Sequence, residues 1–119
     1  MGMANGVSFV TQNSFVFFDN VQASFDLIFL DGDHSAATVY REIARALEHL
    51  RKDGVIVLHD VFPHHRPFWK DQTIQPGPWL AVRRLQREGA GIDVLPLGAL
   101  PWPTKLGTNV TSLALLTGA

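Results

Sequence analysis

Two short, continuous runs of apolar residues constrain the fold of this chain more than any other feature. Leu27–Leu30 and Val55–Leu58 show no alternation with polar residues, which is typical of strands that are covered on both faces in a parallel sheet. Between them, apolar residues recur at helical spacing from about Ser35 to Arg51. A strand, a helix and a strand joined by short loops predict a βαβ unit with two parallel strands.

The remaining segments predict one α/β domain around this unit. Val7–Val10 is short and β-prone, and Ser14–Ala23 fits either a short helix or a buried extended run. Pro63–Pro78 predicts a long proline-rich loop, a type of loop that is usually functional or mobile. The other predictions are Gly54 as the glycine that ends the first helix, a second helix from near Pro78 to Gly89 or Gly91, and two strands, Ile92–Leu97 and Thr111–Thr117, that could pair antiparallel.

The composition excludes several classes of function. With 119 residues, the chain holds one small domain and no second core. A net charge of -1 lacks the basic excess of a nucleic-acid-binding surface. The absence of cysteine excludes disulfides, cysteine metal sites and thiol nucleophiles. No signal peptide and no apolar run of ~18–20 residues is visible, so we expect a cytoplasmic protein without a membrane partner.

Polar residues cluster where three of the predicted strands end. The clusters are Gln12–Ser14, Asp31–His34 and His59–Asp60. In open α/β sheets, ligands bind beyond the C-terminal ends of the strands. If these strands are neighbours, we expect the clusters to line one rim of the sheet and to form the binding site.

The two central motifs resemble the fourth and fifth strands of class I S-adenosylmethionine-dependent methyltransferases. The matching segments are Phe25–Ser35, which contains an Asp-Gly-Asp-His turn, and Lys52–Val61. The likeness is closest to the small-molecule O-methyltransferases with this turn. Val7–Ser14 resembles the third strand and its turn, and Ile92–Thr117 resembles the antiparallel sixth and seventh strands. The resemblance implies the C-terminal half of a Rossmann-like, three-layer fold, without its first two strands and without the glycine-rich turn that holds the methionine part of the cofactor.

The resemblance also implies cofactor-binding roles in methyl transfer from S-adenosylmethionine to a small-molecule hydroxyl. Asn13 stands where the family usually has an aspartate that accepts a hydrogen bond from the adenine amino group. An amide oxygen can accept the same bond. Ser14 would add a hydroxyl or backbone contact, and Asp31 would face the methyl-transfer centre.

In metal-dependent members of the family, acids at the ends of the fourth and fifth strands bind a divalent cation. Asp31 and Asp60 match these positions, and carboxylates with waters suit Mg²⁺. Such a cation would lower the pKa of the acceptor hydroxyl. The usual third ligand next to the fifth-strand acid has no match, because His59 and Val61 flank Asp60.

Histidines supply the candidate general bases, because imidazole titrates near neutrality. We predict this role for His34 and His64. Structural interpretations compete at neighbouring positions. Asp33 fits a helix cap, His59 fits a structural residue at a strand end, and His65 beside His64 fits a solvated pair in a proline-rich loop.

Three other interpretations of the sequence remain open. The chain fits a catalytically incomplete remnant, because the glycine-rich turn has no match. It also fits a homo-oligomer, such as a dimer, in which a bare sheet edge at Val7 pairs between copies and completes the enzyme. A metal-dependent hydrolase that uses Asp31, Asp60 and His64 lacks a recognisable leaving-group pocket.

Overall fold

The predicted βαβ unit is present in a computed structural model that describes residues 6–118. The fold is mixed α/β with an open four-stranded sheet, which confirms the predicted class. The elements, in chain order, are α1 (Ser14–Asn20), β1 (Phe25–Leu30), α2 (Ala36–Glu48), β2 (Leu50–Leu58), a 3₁₀ turn (Pro63–His65), α3 (Pro76–Arg87), β3 (Ile92–Ala99) and β4 (Val110–Gly118).

The strands lie in the order β1-β2-β4-β3. β1 and β2 pair in parallel, and the last residues to pair are Leu30 and Leu58. β4 is antiparallel to both β2 and β3, so its direction is opposite to that of the other three strands. The predicted antiparallel pairing of the two C-terminal strands is therefore confirmed. β1 and β3 are the outer strands.

The three α-helices pack on one face of the sheet. Their apolar residues meet alternate residues of the strands in a single core. The described residues therefore form two layers rather than the predicted three, because no helix within residues 6–118 covers the opposite face. None of these helices combines the length and the apolar character that crossing a membrane requires. The core consists of Phe18, Val39, Ile43, Ala46, Ala81, Val82 and Leu85 from the helices and Ile28, Leu30, Ile56, Leu58, Ile92, Ala114 and Leu116 from the strands.

The opposite face of the sheet is also apolar. Phe29, Val57, Leu115 and Leu95 are paired in register and form a row across all four strands. Phe29 is 53% exposed and Leu95 is 61% exposed. We call this row and its neighbour Leu27 the open face.

The N-terminal prediction is wrong in one part. Val7–Val10 forms no strand of the sheet, and Val7 makes only an isolated bridge. Phe9 is 80% exposed there. The ambiguous segment that follows forms the short helix α1, which buries Phe18.

The end of α2 also differs from the prediction. The helix ends at Glu48 rather than near Arg51, because β2 already begins at Leu50. Gly54 therefore lies inside β2, where an added Cβ would stand 2.8 Å from the carbonyl oxygen of Arg51. Lack of space, rather than helix termination, explains this glycine. α3 begins at Pro76, close to the predicted start.

Candidate active site

The C-terminal ends of β1 and β2 bring four polar side chains together at one rim of the sheet. The backbone N–H of His59 donates to the carbonyl oxygen of Leu30 at 3.2 Å, so the two strands end side by side. Asp31 therefore lies next to His59 and Asp60. His34 joins them from the loop between β1 and α2.

The imidazole of His59 lies between the two carboxylates. Its Nδ1 is 2.9 Å from Oδ1 of Asp31 and 3.0 Å from Oδ2 of Asp60. Nε2 of His34 is 2.5 Å from the same Oδ2 of Asp60. One ligand atom from each of the four residues lies within 4.8 Å of the other three. We call Asp31, His34, His59 and Asp60 the rim cluster.

Solvent reaches the rim cluster only in part. The side chain of Asp60 is 17% exposed, whereas those of His34 and Asp31 are 40% and 44% exposed. Nε2 of His34 and Nδ1 of His59 are themselves buried, and neither makes a well-angled hydrogen bond within residues 6–118. Buried nitrogens that face carboxylates can share a proton or a cation with them.

The backbone and β4 fix the orientation of Asp60. Asp60 has a φ of 60°, in the left-handed region that residues other than glycine seldom adopt. Oγ of the buried Ser112 donates to Oδ1 of Asp60 at 3.4 Å, and the backbone N–H of Val61 donates to the carbonyl oxygen of Ser112 at 2.9 Å. With Oδ1 held by β4, Oδ2 is the oxygen that faces the two histidines.

Close backbone packing fixes the loop that carries His34. Oδ1 of Asp33 accepts a hydrogen bond from the backbone N–H of Ser35 at 2.9 Å, and this bond lowers the pKa of Asp33. Ser35 in turn caps α2 through Thr38. An added Cβ on Gly77, in the first turn of α3, would stand 1.7 Å from the carbonyl oxygen of His34. Only glycine allows α3 to approach this loop so closely.

Two of the predicted cofactor-binding residues, Asn13 and Ser14, lie at the start of α1. Oδ1 of Asn13 accepts a hydrogen bond from the backbone N–H of Phe15 at 2.8 Å and thereby caps the helix. Oγ of Ser14 donates to Oε2 of Glu42 at 2.7 Å. Glu42 is 7% exposed on α2 and was not predicted, because nothing in a helical pattern marks one acid as buried.

His64, the second predicted base, is not part of the rim cluster. It lies in the 3₁₀ turn with a φ of 57°, and its ring meets that of Trp79 edge-on, with 5.1 Å between centroids. The structure instead brings in His59, for which the sequence favoured a structural role. The position of His59 next to Asp60, at the end of a predicted strand, was the signal in the sequence that could have identified it as a site residue.

A pocket of about 280 Å³ opens beside the rim cluster. His59 and Asp60 form part of its wall, and the segment after β2, the β3–β4 connection and the start of β4 form the rest. Nε1 of Trp69 donates to Oγ1 of Thr108 at 3.2 Å, and Nζ of Lys105 lies 4.5 Å from the Trp69 ring centroid. The other lining residues are Phe62, Thr73, Thr104, Val110, Thr111 and Ser112.

A family model described as a methyltransferase domain matches residues 1–61, just over half of the chain. The chain belongs to the methyltransferase domain family. The match includes α1, the βαβ unit and all four residues of the rim cluster. No curated protein matches the chain.

A methyltransferase of this family implies a methyl donor of the S-adenosylmethionine type, and the described residues fit its adenosine end. Oδ1 of Asn13 keeps a second lone pair for an amino group. A mainly apolar groove of about 420 Å³ runs between Ser14 and β1, and Phe17 and Leu27 contribute to its lining. Within residues 6–118, no strand is followed by a glycine-rich turn that would hold the methionine end.

Proposed function

We propose that this domain transfers a methyl group from S-adenosylmethionine to a hydroxyl group of a small molecule. The observation that carries the proposal is the adjacency of the rim cluster, which can take a proton, to a pocket that can hold the acceptor. Both lie beyond the strand ends, where α/β sheets bind ligands. The reversed strand β4 between β2 and β3 supports a Rossmann-like methyltransferase sheet as the scaffold.

Cofactor binding would use Asn13, Ser14 and Asp31. The Oδ1 lone pair of Asn13 would accept from the adenine amino group, and the oxygen of Ser14 can still accept a bond after donating to Glu42. Asp31 directly follows β1 and belongs to the rim cluster. The bound donor supplies an electrophilic methyl group on a sulfonium sulfur.

The acceptor would occupy the pocket beside His59 and Asp60. Its volume of about 280 Å³ is near the lower limit for small-molecule sites. Trp69 offers an aromatic surface, and threonine hydroxyls and Lys105 offer polar contacts. These walls suit a small ring that carries polar groups, with the reacting hydroxyl directed toward the rim cluster.

His34 would act as the general base. Nε2 lies 2.5 Å from Oδ2 of Asp60, so Asp60 holds the ring and stabilises an imidazolium, and the acceptor proton would go to Nδ1. The protein mainly has to remove this proton and hold the acceptor oxygen in line with the methyl group. A cation at Asp31 and Asp60 would make the hydroxyl more acidic. His64 is the weaker candidate base, because its ring packs on Trp79 outside the rim cluster.

Binding and transfer experiments test the proposal separately. Calorimetric titration of S-adenosylhomocysteine should give a Kd above roughly 0.1 mM, because the described residues fit one end of the cofactor. Transfer of a labelled methyl group from S-adenosylmethionine is then measured with a panel of small phenols and hydroxylated rings. His34→Gln should lower the rate by about 10²–10⁴-fold, the usual contribution of a general base.

His65→Gln is the matched control, because His65 is an exposed histidine that lies outside the rim cluster. Its transfer rate should equal that of the unmodified chain. Absence of both cofactor binding and transfer at millimolar cofactor would reject the proposed activity and favour the catalytically incomplete remnant.

A second copy of the chain is the partner that we propose for the free edge of the sheet. We propose the edge of β1, one of the two outer strands, rather than the segment at Val7, because β1 pairs only with β2 within the described residues. Leu27 and Phe29 are 62% and 53% exposed on it. Two such edges can pair about a twofold axis, and a net charge of -1 gives little repulsion between copies. Light scattering at micromolar concentration should show a dimer, and a monomer would reject the pairing.

A further inference from the structure

We infer that Asp31, His59 and Asp60 bind a first-row transition-metal dication in preference to Mg²⁺. The inference replaces the all-oxygen site that the sequence predicts with a site that contains an imidazole. Its role in methyl transfer rests on the proposed function, whereas binding of the ion does not require the cofactor.

The distances within the rim cluster distinguish ligands from neighbours. In six-coordinate geometry, metal–ligand bonds of about 2.0–2.1 Å place adjacent ligand atoms about 2.9–3.0 Å apart. Nδ1 of His59 meets this condition with both carboxylates, at 2.9 Å from Asp31 and 3.0 Å from Asp60. Nε2 of His34, at 2.5 Å from Asp60, is too close to be an adjacent ligand. The ligand atoms of Asp31 and Asp60 also lie within 4.8 Å of each other, so the three residues can share one ion, whereas His34 pairs directly with Asp60.

The ligand atoms are held in place before any ion binds. The paired ends of β1 and β2 place Asp31 beside His59. The left-handed backbone of Asp60 and its hydrogen bond from Ser112 leave Oδ2 facing the cluster. Outer partners of this kind are typical of metal-binding carboxylates. Nδ1 of His59 is buried and makes no well-angled hydrogen bond among the described residues, so it is available to a cation.

The charge of the cluster also favours a cation. Two carboxylates lie close together, and within residues 6–118 neither Asp31 nor Asp60 forms an ion pair with a lysine or an arginine. Asp60, whose side chain is 17% exposed, is the more buried of the two, and a buried carboxylate is costly unless it is paired. A dication coordinated by a neutral His59 would compensate both charges, and its open positions would face the acceptor pocket that His59 and Asp60 line.

The ligand types select the ion. An imidazole with two carboxylates suits Mn²⁺, Fe²⁺, Co²⁺ or Zn²⁺, whereas Mg²⁺ prefers oxygen ligands and retains its waters. We therefore expect Co²⁺ and Zn²⁺ to bind at least about tenfold more tightly than Mg²⁺.

The test titrates Co²⁺ into the full chain without cofactor, by calorimetry and by the visible absorption of the ion. His59→Gln should weaken Co²⁺ binding by at least about tenfold and shift the absorption bands, because a nitrogen ligand is lost. His34→Gln should leave the band positions unchanged. His65→Gln is the control for metal capture by exposed histidines, and it should change neither the affinity nor the spectrum.

Three results would overturn the inference: Mg²⁺ binding as tight as Co²⁺ binding, an unchanged Co²⁺ affinity in His59→Gln, or loss of binding in His65→Gln. Circular dichroism checks the fold of each variant. If His59→Gln is unfolded, Asp31→Asn provides the same test, since it removes another ligand and should weaken Co²⁺ binding to a similar extent.

The two proposals fail in different ways. Methyl transfer that persists after complete removal of metal by a chelator, in a chain that binds no Co²⁺, rejects the metal site and leaves the proposed function. Tight Co²⁺ binding without cofactor binding or methyl transfer supports the metal site and rejects the proposed function.

Discussion

The covered and open faces of the sheet have similar residues but different surroundings. Ile56 and Leu116 are 0% and 1% exposed beneath the helices, whereas Phe29 and Leu95, on the other face of the same sheet, are 53% and 61% exposed. Both faces of the sheet are apolar, as expected for strands that are buried on two sides. The comparison shows that apolar residues on one face of a strand indicate that this face is buried in the functional protein. They do not indicate which helix, strand or partner covers it.

The largest expected difference between the faces is in stability. Ile56→Ala should lower the free energy of unfolding by about 2–5 kcal/mol, because it leaves a cavity in a closed core. Val57→Ala, at the next position on the open face, should cost about 1 kcal/mol or less, since its side chain is only partly buried. Equilibrium unfolding in urea measures both. Equal losses would contradict the difference between the faces.

Gly77 tests how tightly the covering layer of helices is packed. Gly77→Ala should cost about 1–3 kcal/mol, because the new methyl group meets the carbonyl oxygen of His34 rather than a movable side chain. Gly32→Ala is the control, because its Cβ would meet Glu42 at an ordinary 3.7 Å. Thermal unfolding compares the two variants. A stability of Gly77→Ala equal to that of the control would show that α3 can move away from the loop.

A charged substitution on the open face should change the oligomeric state of the chain rather than the stability of its fold. Phe29→Lys should dissociate the proposed dimer, while the free energy of unfolding of the monomer changes within about 0.5 kcal/mol. Leu80→Lys changes an apolar residue of similar exposure (44%) on α3, away from the open face, and should leave the dimer intact. Light scattering follows the mass. Dissociation by both variants would argue against a specific interface.

The smallest expected effect concerns an exposed hydrogen bond between α2 and the end of α3. Tyr40 donates to Glu88, a bond that lowers the pKa of Glu88 and raises the pKa of Tyr40. The contribution of Glu88 should therefore be present above its unfolded pKa and lost as the pH falls through the lowered folded value. That of Tyr40 should be lost as the pH rises through its raised folded value. Melting temperatures across acid pH should fall less steeply in Glu88→Gln, and identical slopes would show that this hydrogen bond contributes nothing.

The sequence predicts the centre of the fold well, because the signals there are local. The apolar runs around Ile28 and Ile56 and the helical spacing between them are sufficient for the βαβ unit. The polar residues after these strands predict that Asp31 and Asp60 lie at one rim, since parallel strands end at the same edge. Val7–Val10 was predicted wrongly, because β-propensity alone does not provide a neighbouring strand.

The finer geometry of the site depends on information that is not local. The position of His59 between two carboxylates follows from the register of Leu30 with Leu58, which no pattern within either strand specifies. The path of the loop that carries His64 depends on packing against Trp79. The burial of Glu42 depends on the placement of α1. In each case the partner is distant in the sequence.

The contact between Gly77 and His34 separates a fixed part of the chain, which carries the rim cluster, from a loop whose sequence can vary. Phe62, only 1% exposed, and Gly77 anchor the two ends of the intervening loop. The loop supplies Trp69 and Thr73 to the proposed acceptor pocket but no residue to the rim cluster. Evolution can therefore lengthen or replace the segment between these anchors without moving the reacting groups. Related domains should acquire new acceptors by divergence in this loop, while the glycine that follows it stays unchanged.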